Sequence, residues 1–394
     1  MVRQYVKKSL ISAMRRLPES VQLRLVSYVA ASLGAAPALR ILMKNASAAD
    51  CALLVQERAG AASKSAIEAA AAILELLPSA ERAALSQRLP VGRDTQTSAI
   101  PRRSFADLSR PENVATFQDL ATILDVPAAE VSGRNGLLMG YLQDEGIFLP
   151  YLRDRTWFWN GIALIDGFFA GQSEGTFLDI GANIGAVVVP IAKANPLVDC
   201  FAFEPEPRNF IALTHNIARN GVGQNVEAYE MALAETDGAV TFELALSNFG
   251  DHRLRKAGSG GIPMFDEDAR ATIEVAAQSL CRALAGRELA RPIIAKMDVQ
   301  GAELMVLAGG ESILRETELL VVEYWPYGMR RLGSDPAQFL TAFSAIFPLV
   351  ARISEQAVSA SDFVPFPALR AELEAFGRND AMHLNLALAK RPIE

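Results

Sequence analysis

From Gly175 to Trp325 the chain repeats one unit: a short apolar run, a turn carrying glycine or an acid, and a segment of helical period. GTFLDI is followed by GANIG and then AVVVPIAKAN; VDCFAFEP is followed by PRNFIALTHNIARNG. The second helical segment aligns Phe210, Leu213 and Ile217 on one face and stops at Asn220-Gly221. Pro190 is tolerable only in the first turns of its helix. NVEAYEMAL and GAVTFELAL read as further strands, followed by ATIEVAAQSL, RPIIAKMDV, a helix at GAELMVLAGG, ELLVVEYW and finally HLNLALAKR. Strands and helices alternating at these lengths predict an α/β fold with a doubly wound, mostly parallel sheet.

In such a sheet, ligands sit beyond the carboxyl ends of the strands, so acids and glycines at those ends are the candidate site. The first strand ends in Asp179-Ile180-Gly181-Ala182-Asn183-Ile184-Gly185, where Gly181 and Gly185 permit a tight turn. Asn183 and Ala186 stand where a dinucleotide fingerprint would have glycine, which disfavours a bound pyrophosphate and hence a dehydrogenase. The second strand ends in Phe203-Glu204-Pro205, at the distance where an acid accepts both ribose hydroxyls of a nucleoside. Asp179 and Glu204 together suit a nucleoside carrying a cation, and S-adenosylmethionine fits that description.

FLDIGANIG, AFEPEPRNFIALTHNIARNG, MALAETDG and KMDVQGAELMVLAGGESIL, in this order, resemble the successive motifs of the FkbM-type S-adenosylmethionine-dependent methyltransferases. The resemblance runs from about Gly171 to Trp325 and more loosely to Lys390. It implies a Rossmann-like class I methyltransferase fold. It also implies cofactor contacts from Asp179, Gly181, Ala182, Asn183 and Gly185, a ribose contact from Glu204 beside Pro205, and adenine-side contacts near Ala232 and Leu233. The implied activity is O-methylation of a hydroxyl on a sugar or secondary metabolite, the partner being a small-molecule or glycan acceptor. Two positions depart from the family pattern. Gln300 replaces the usual Glu of the DVEG motif, which removes a base there, and Cys281 replaces an Asp that caps a helix, which implies an altered local structure. Both departures keep open a non-catalytic S-adenosyl-binding adaptor.

Methyl transfer to an alcohol releases a proton, so a positioned base is sought among few residues. Of three histidines, His215 is expected on an exposed helix face and His383 in a structural place at the start of the last strand. His252, in Ser-Asn-Phe-Gly-Asp-His-Arg, is the candidate base, with Asp251 to orient its ring. Lys296 and Asp298 end a central strand and complete the candidate catalytic set, with Glu303 following and Glu323 ending another strand. No spacing specifies a metal site, and none is expected.

The rest of the chain reads differently. Residues 1–94 carry 13 Lys and Arg against 7 Asp and Glu, or +6, leaving −13 for the remainder of a 394-residue chain of net charge −7. Ile67, Ala70, Ala71, Leu74 and Leu77 keep helical spacing until Pro78, so a helical N-terminal module is expected over 1–94. Lys7, Lys8, Arg15 and Arg16 give residues 2–17 a basic amphipathic helix. It is expected to pack on its own domain or on a second subunit in a homo-oligomer, with peripheral contact with an anionic membrane as the alternative. A linker and mixed helical region is expected over 95–150 and the methyltransferase domain over 151–394. Trp157 and Trp159 are expected to pack in the core, with lining a pocket as the alternative. An acidic pI near 5.3 argues against nucleic acid. The scattered Cys51, Cys200 and Cys281 read as free thiols, and the absence of an apolar leader or a long apolar span predicts a cytoplasmic protein.

Overall fold

The computed structural model describes residues 128–255, 267 and 270–392. The expectations for residues 1–94 and for the linker after them lie outside the described residues. The chain divides at Ala129/Glu130, and the fold described here is that of the second unit, Glu130–Glu394.

It opens with a hairpin of β1 (Ala128–Gly133) and β2 (Gly136–Tyr141), followed by helices α1 (Phe148–Asp154) and α2 (Trp159–Phe169). Strands replace the helical region expected at 128–141. Burial alternates along them, and Gly136 at φ +118° supplies a turn that other residues rarely adopt. Asn216 and Asn220 hold β2 with their amides, exchanging hydrogen bonds with the backbone of Met139 and Leu137 at 2.6–3.0 Å.

The elements that follow are β3 (Gly175–Ile180), α3 (Val188–Ala194), β4 (Val198–Phe203), α4 (Pro207–Asn220), β5 (Val226–Tyr229), β6 (Ala232–Leu233), β7 (Gly238–Leu244), β8 (Arg253–Leu254) and β9 (Ala271–Gln278). They continue with α5 (Leu280–Ala283), β10 (Ile293–Met297), α6 (Glu303–Leu314), β11 (Thr317–Tyr324), α7 (Pro326–Arg331), α8 (Pro336–Ser344), β12 (Leu349–Ile353), β13 (Val364–Pro365), α9 (Phe366–Phe376) and β14 (Leu384–Ala389). Pro190 falls at the third position of α3, where its missing N–H costs nothing.

Eight strands form the central sheet in the order β13-β12-β14-β11-β10-β3-β4-β5. The five from β11 to β5 are parallel, while β14, β12 and β13 join antiparallel. The Rossmann-like expectation therefore holds. β3, buried along its whole length, leads outward to β4 and β5, and the chain then returns to β10 on its other side. The β3/β10 boundary is thus the switch point, where both strands release their loops and leave a crevice. Leu178, Ile180, Phe203, Met297 and Val322 fill the core beneath it.

One expectation fails. The run NVEAYEMAL divides into β5 and β6, and GAVTFELAL and ATIEVAAQSL leave the main sheet. β6, β9, β7 and β8 form a separate four-stranded sheet, packed through Phe242, Val275 and Ala277. Alternation marks these segments as strands, but partner choice is non-local and cannot be read from their period.

Candidate active site

A cavity of about 470 Å³ lies at the carboxyl ends of β3, β4, β10 and β11. Its walls include Ile147 and Trp157 on one side and the loop 248–252 on another. Asp144 fastens those two walls together. Its carboxylate accepts the N–H groups of Gly146, Ile147, Phe148 and Phe249 at 3.0–3.1 Å.

The glycine turn after β3 is wound so that its amides point inward. Gly181 and Ala182 donate to the Phe203 carbonyl at 3.0 and 2.9 Å, and Gly185 donates to Ala182 at 2.9 Å. Asn183 donates to Glu204 Oε2 at 2.8 Å, and Ile184 to the Asn183 side chain at 2.8 Å. None of these five amides is left for a phosphate. Gly181, at φ +82°, could not carry a Cβ, which would collide with the Asp298 carbonyl.

Glu204 lines the cavity and is 5% exposed. Besides the Asn183 N–H it accepts that of Glu206 at 2.9 Å on Oε1. Burial pushes its carboxyl up to about 7, against those two hydrogen bonds. Pro205, Met231, Ala232 and Leu233 line the same end, beside Phe203. An acceptor carboxylate next to an apolar slot is the donor and acceptor set that a ribose and its base require, so the residues present fit an adenosyl group.

Two expected cofactor residues do not reach the cavity. Asp179 is fully buried beneath the turn, accepts the Val188 N–H at 3.1 Å, and lies 3.8 Å from Lys296 Nζ. Gly185 faces Leu213 and Val189. Both shape the turn from behind. A strand-end residue points up or under according to the pleat, and the motif alone does not say which.

At the other end stand Lys296, Asp298, Gln300, Glu323, His383 and Asn385. Lys296 Nζ donates to the Gly181 carbonyl at 2.8 Å and lies 3.6 Å from Asp298 Oδ2. Burial works against its charge, but Asp298, Asp179, Glu323 and Glu204 hold its proton affinity above the ordinary lysine value. Gln300 Nε2 bridges two carboxylates, at 2.7 Å to Asp298 Oδ1 and 2.9 Å to Glu323 Oε2. The sequence discounted Gln300 because it is no base; the structure makes it a clamp. Glu303 instead turns inward, accepting the N–H groups of Gly301 and Val299 at 3.2 and 3.4 Å.

His252 lines the cavity but is not placed as a base. Its Nδ1 accepts the Ala245 N–H at 2.9 Å, so the ring proton sits on Nε2, which can only donate. Burial, then the charges of Arg208 and Arg270, depress the imidazole to about 3. Nor does Asp251 orient the ring. Its carboxylate pairs with Arg253 Nη1 at 2.9 Å and with Arg270 Nη2. These belong to a buried ion network in which Arg253 also meets Glu243 at 2.8 Å and Glu267 at 2.5 Å, and Arg331 meets the same two acids at 2.8 and 2.7 Å.

The remaining expectations divide. Trp157 is half-buried in the cavity wall, and Trp159 lies under the Arg134 guanidinium at 3.8 Å, so neither is a core residue. His215 is on the exposed side of α4 and pairs with Glu130 at 2.5 Å. His383 is largely exposed rather than structural, 3.9 Å from Glu323 Oε1. Cys281 distorts nothing, because Ser279 caps α5 through the Arg282 N–H. Among the described residues no cluster of His, Cys, Asp and Glu could hold a metal ion. Nor is any helix among them long and apolar enough to cross a membrane.

Residues 179–343 match the family described as the methyltransferase FkbM domain. The chain carries an FkbM methyltransferase domain. The match begins at Asp179, near the end of β3, and ends in α8, so it takes in the turn after β3, β10 and the second sheet. The chain is also 29% identical over 154 residues to the hexuronic acid methyltransferase AglP of Haloferax volcanii, covering 39% of this chain and 56% of that protein. It is 28% identical over 175 residues to the methyltransferase sdnD of Sordaria araneosa, covering 39% of this chain and 68% of that one. It is 27% identical over 191 residues to the 2-O-methyltransferase NoeI of Sinorhizobium fredii, covering 46% of this chain and 75% of that one. The first of these alignments spans little more than half of the relative's own length. The matched residues thus supply Glu204 at one end of the cavity and Lys296, Asp298, Gln300 and Glu323 at the other, whereas Ile147, Trp157, His383 and Asn385 lie outside the match.

Proposed function

We propose that this FkbM domain transfers a methyl group from S-adenosylmethionine to a hydroxyl of a sugar or other small metabolite. The observation that carries the proposal is the two-ended cavity. Glu204 and an apolar slot stand at the end of β4, and a group of carboxylates and amides stands at the end of β11. The sheet spacing of about 4.8 Å per strand puts those two ends roughly 14 Å apart, three strands across.

Each end has its own task. Glu204 is placed to accept the two ribose hydroxyls, and Met231, Ala232 and Leu233 to take the flat face of the base. The inward-wound turn leaves none of its five amides free, which disfavours a pyrophosphate. The donor, when bound, supplies an electrophilic methyl on a sulfonium. At the far end Asp298, Gln300, Glu323 and Asn385 offer acceptors and donors suited to hydroxyl groups, which supports an alcohol acceptor. The name of AglP, a hexuronic acid methyltransferase, supports a sugar, and that of NoeI, a 2-O-methyltransferase, supports a hydroxyl acceptor. Alignment of the acceptor with the methyl is the main catalytic contribution, since direct displacement needs little else from the protein.

Calorimetry with S-adenosylhomocysteine and with NAD, followed by transfer of labelled methyl to a panel of glycosides and polyols, tests the proposal. Binding of the first ligand alone, with label in an alkali-stable ether, is the expected result. Preferential binding of NAD would refute it.

A further inference from the structure

We propose that Glu323 is the catalytic base of this transfer, receiving the acceptor's hydroxyl proton, and that Gln300 is the residue that positions it; the inference rests on the methyl-transfer reading above. The acceptor oxygen forms the new C–O bond with a lone pair. The methyl–sulfur bond of the sulfonium donor breaks with its electrons to sulfur, giving a neutral thioether. The O–H proton passes to the Glu323 carboxylate, so charge and atoms balance.

Apart from the exposed His383, every other titratable side chain facing the cavity is committed elsewhere. His252 holds its proton on the only nitrogen left free of the Ala245 N–H. Glu204 carries a backbone N–H on each oxygen and stands at the far end. Asp251 has a guanidinium on each oxygen. Lys296 donates to Gly181 and is kept protonated by the acids around it. Asp298 takes the Gln300 amide on Oδ1 and has the Lys296 ammonium 3.6 Å from Oδ2, so both of its oxygens face a donor. Glu323 takes the Gln300 amide on Oε2, while its Oε1 has His383 no nearer than 3.9 Å.

The surroundings of Glu323 favour proton uptake. Asp298 comes from the loop after β10, Glu303 from α6 and Asp251 from the loop before β8. Burial and these three acids push the Glu323 carboxyl well above the ordinary range, with Lys296 opposing them. His383, ahead of β14, is the other ionisable group nearby, and Asn385 lies directly opposite Glu323 across the β11–β14 pair.

Gln300 is held in place by an unusual backbone. It sits at φ +56°, in the left-handed region that a non-glycine residue enters at a cost, and Gly301 follows at φ +101° against the backbone of Gly328. The turn from β10 into α6 thus aims one amide at both carboxylates. A hydrogen bond to an ionised carboxylate lowers its proton affinity, so Gln300 sets the pH at which Glu323 becomes available.

The test uses the full chain with Glu323→Gln, Asp298→Asn and Gln300→Asn, the last retaining a residue that accepts left-handed backbone. Three readouts apply: S-adenosylhomocysteine affinity, labelled methyl transfer to a mixture of alkyl glycosides, and the infrared carboxyl band against pH. Glu323→Gln is expected to keep the affinity within about twofold, to lose transfer on the order of 10²-fold or more, and to lose the titrating carboxyl band. Gln300→Asn is expected to keep the affinity and move the acidic limb of the rate profile to higher pH. Wild-type transfer matched by Glu323→Gln would overturn the base assignment alone, as would loss of the carboxyl band only in Asp298→Asn. Wild-type protein that binds the ligand yet labels no hydroxyl would overturn the methyl-transfer reading itself.

Discussion

The ribose contact assigned to Glu204 has a pH signature that a merely structural carboxylate lacks. Burial holds its carboxyl at about 7, so the free protein is about half ionised at neutrality. A ribose diol donates to the carboxylate and therefore selects the ionised form. With a free-protein value near 7, ionisation rises from about 9% at pH 6 to about 91% at pH 8. Affinity for S-adenosylhomocysteine should strengthen roughly tenfold over that interval, about 1.4 kcal/mol. Glu204→Gln removes the charge but keeps the shape. At pH 8 it should bind roughly 10- to 100-fold more weakly, the worth of about 1.5–3 kcal/mol for a charged hydrogen bond, and at pH 6 that gap should be about tenfold smaller. Thermal scans alone do not isolate this residue. Its folded value lies above the unfolded one, so the stability it contributes is fully present below about pH 4.5 and is lost as pH rises through 7. Glu303, also raised to about 7, and Glu323 act in the same direction. Calorimetry of binding from pH 6 to 8.5 does isolate it. A flat wild-type profile, or the same slope in Glu204→Gln, would refute the reasoning.

Three further outcomes follow from the same geometry. Gly181→Ala should cost about 1–3 kcal/mol from the left-handed backbone alone, plus a collision with the Asp298 carbonyl, read as a lower denaturation midpoint and lost ligand binding. His252→Ala should leave the pH–rate profile unshifted and turnover within about tenfold, while losing about 1–3 kcal/mol of stability because the Ala245 N–H is left unpaired. Arg253→Met should destabilise by about 3–5 kcal/mol in urea titration, since Glu243, Asp251 and Glu267 then share two guanidiniums where they had three.

Legibility differed from residue to residue for physical reasons. The parallel core was readable because its strands are apolar throughout and separated by helices with one apolar face. Glu204 was readable as a cavity residue because an acid at the carboxyl end of a parallel strand opens onto the switch-point crevice. Asp179 looked equivalent, yet its pleat position sends it beneath the turn to the start of α3. The second sheet was not readable, since GAVTFELAL has the same alternation whichever sheet it joins. His252 was misjudged because its tautomer is fixed by a backbone N–H seven residues away, a contact that no motif encodes. Gln300 was discounted for what it lacks, and its two partners become visible only when β10 and β11 lie side by side.

That adjacency is the link between fold and chemistry. β10 pairs with β3 on one edge and β11 on the other, so the loop leaving it touches both the glycine turn and the acceptor end. Lys296 reaches back to the Gly181 carbonyl, and Gln300, two residues beyond the Lys296–Asp298 pair, reaches forward to Glu323. A ligand cation arriving at the turn would therefore face the Lys296 ammonium unless Asp179 and Asp298 screened it, and both lie within 4 Å of Nζ. Screening from beneath explains why a buried acid that never meets the cavity still belongs to its chemistry. The carboxylate under the turn offsets the charge of the one lysine that orders the β10 loop, which the proposed binding of a sulfonium donor at this turn requires.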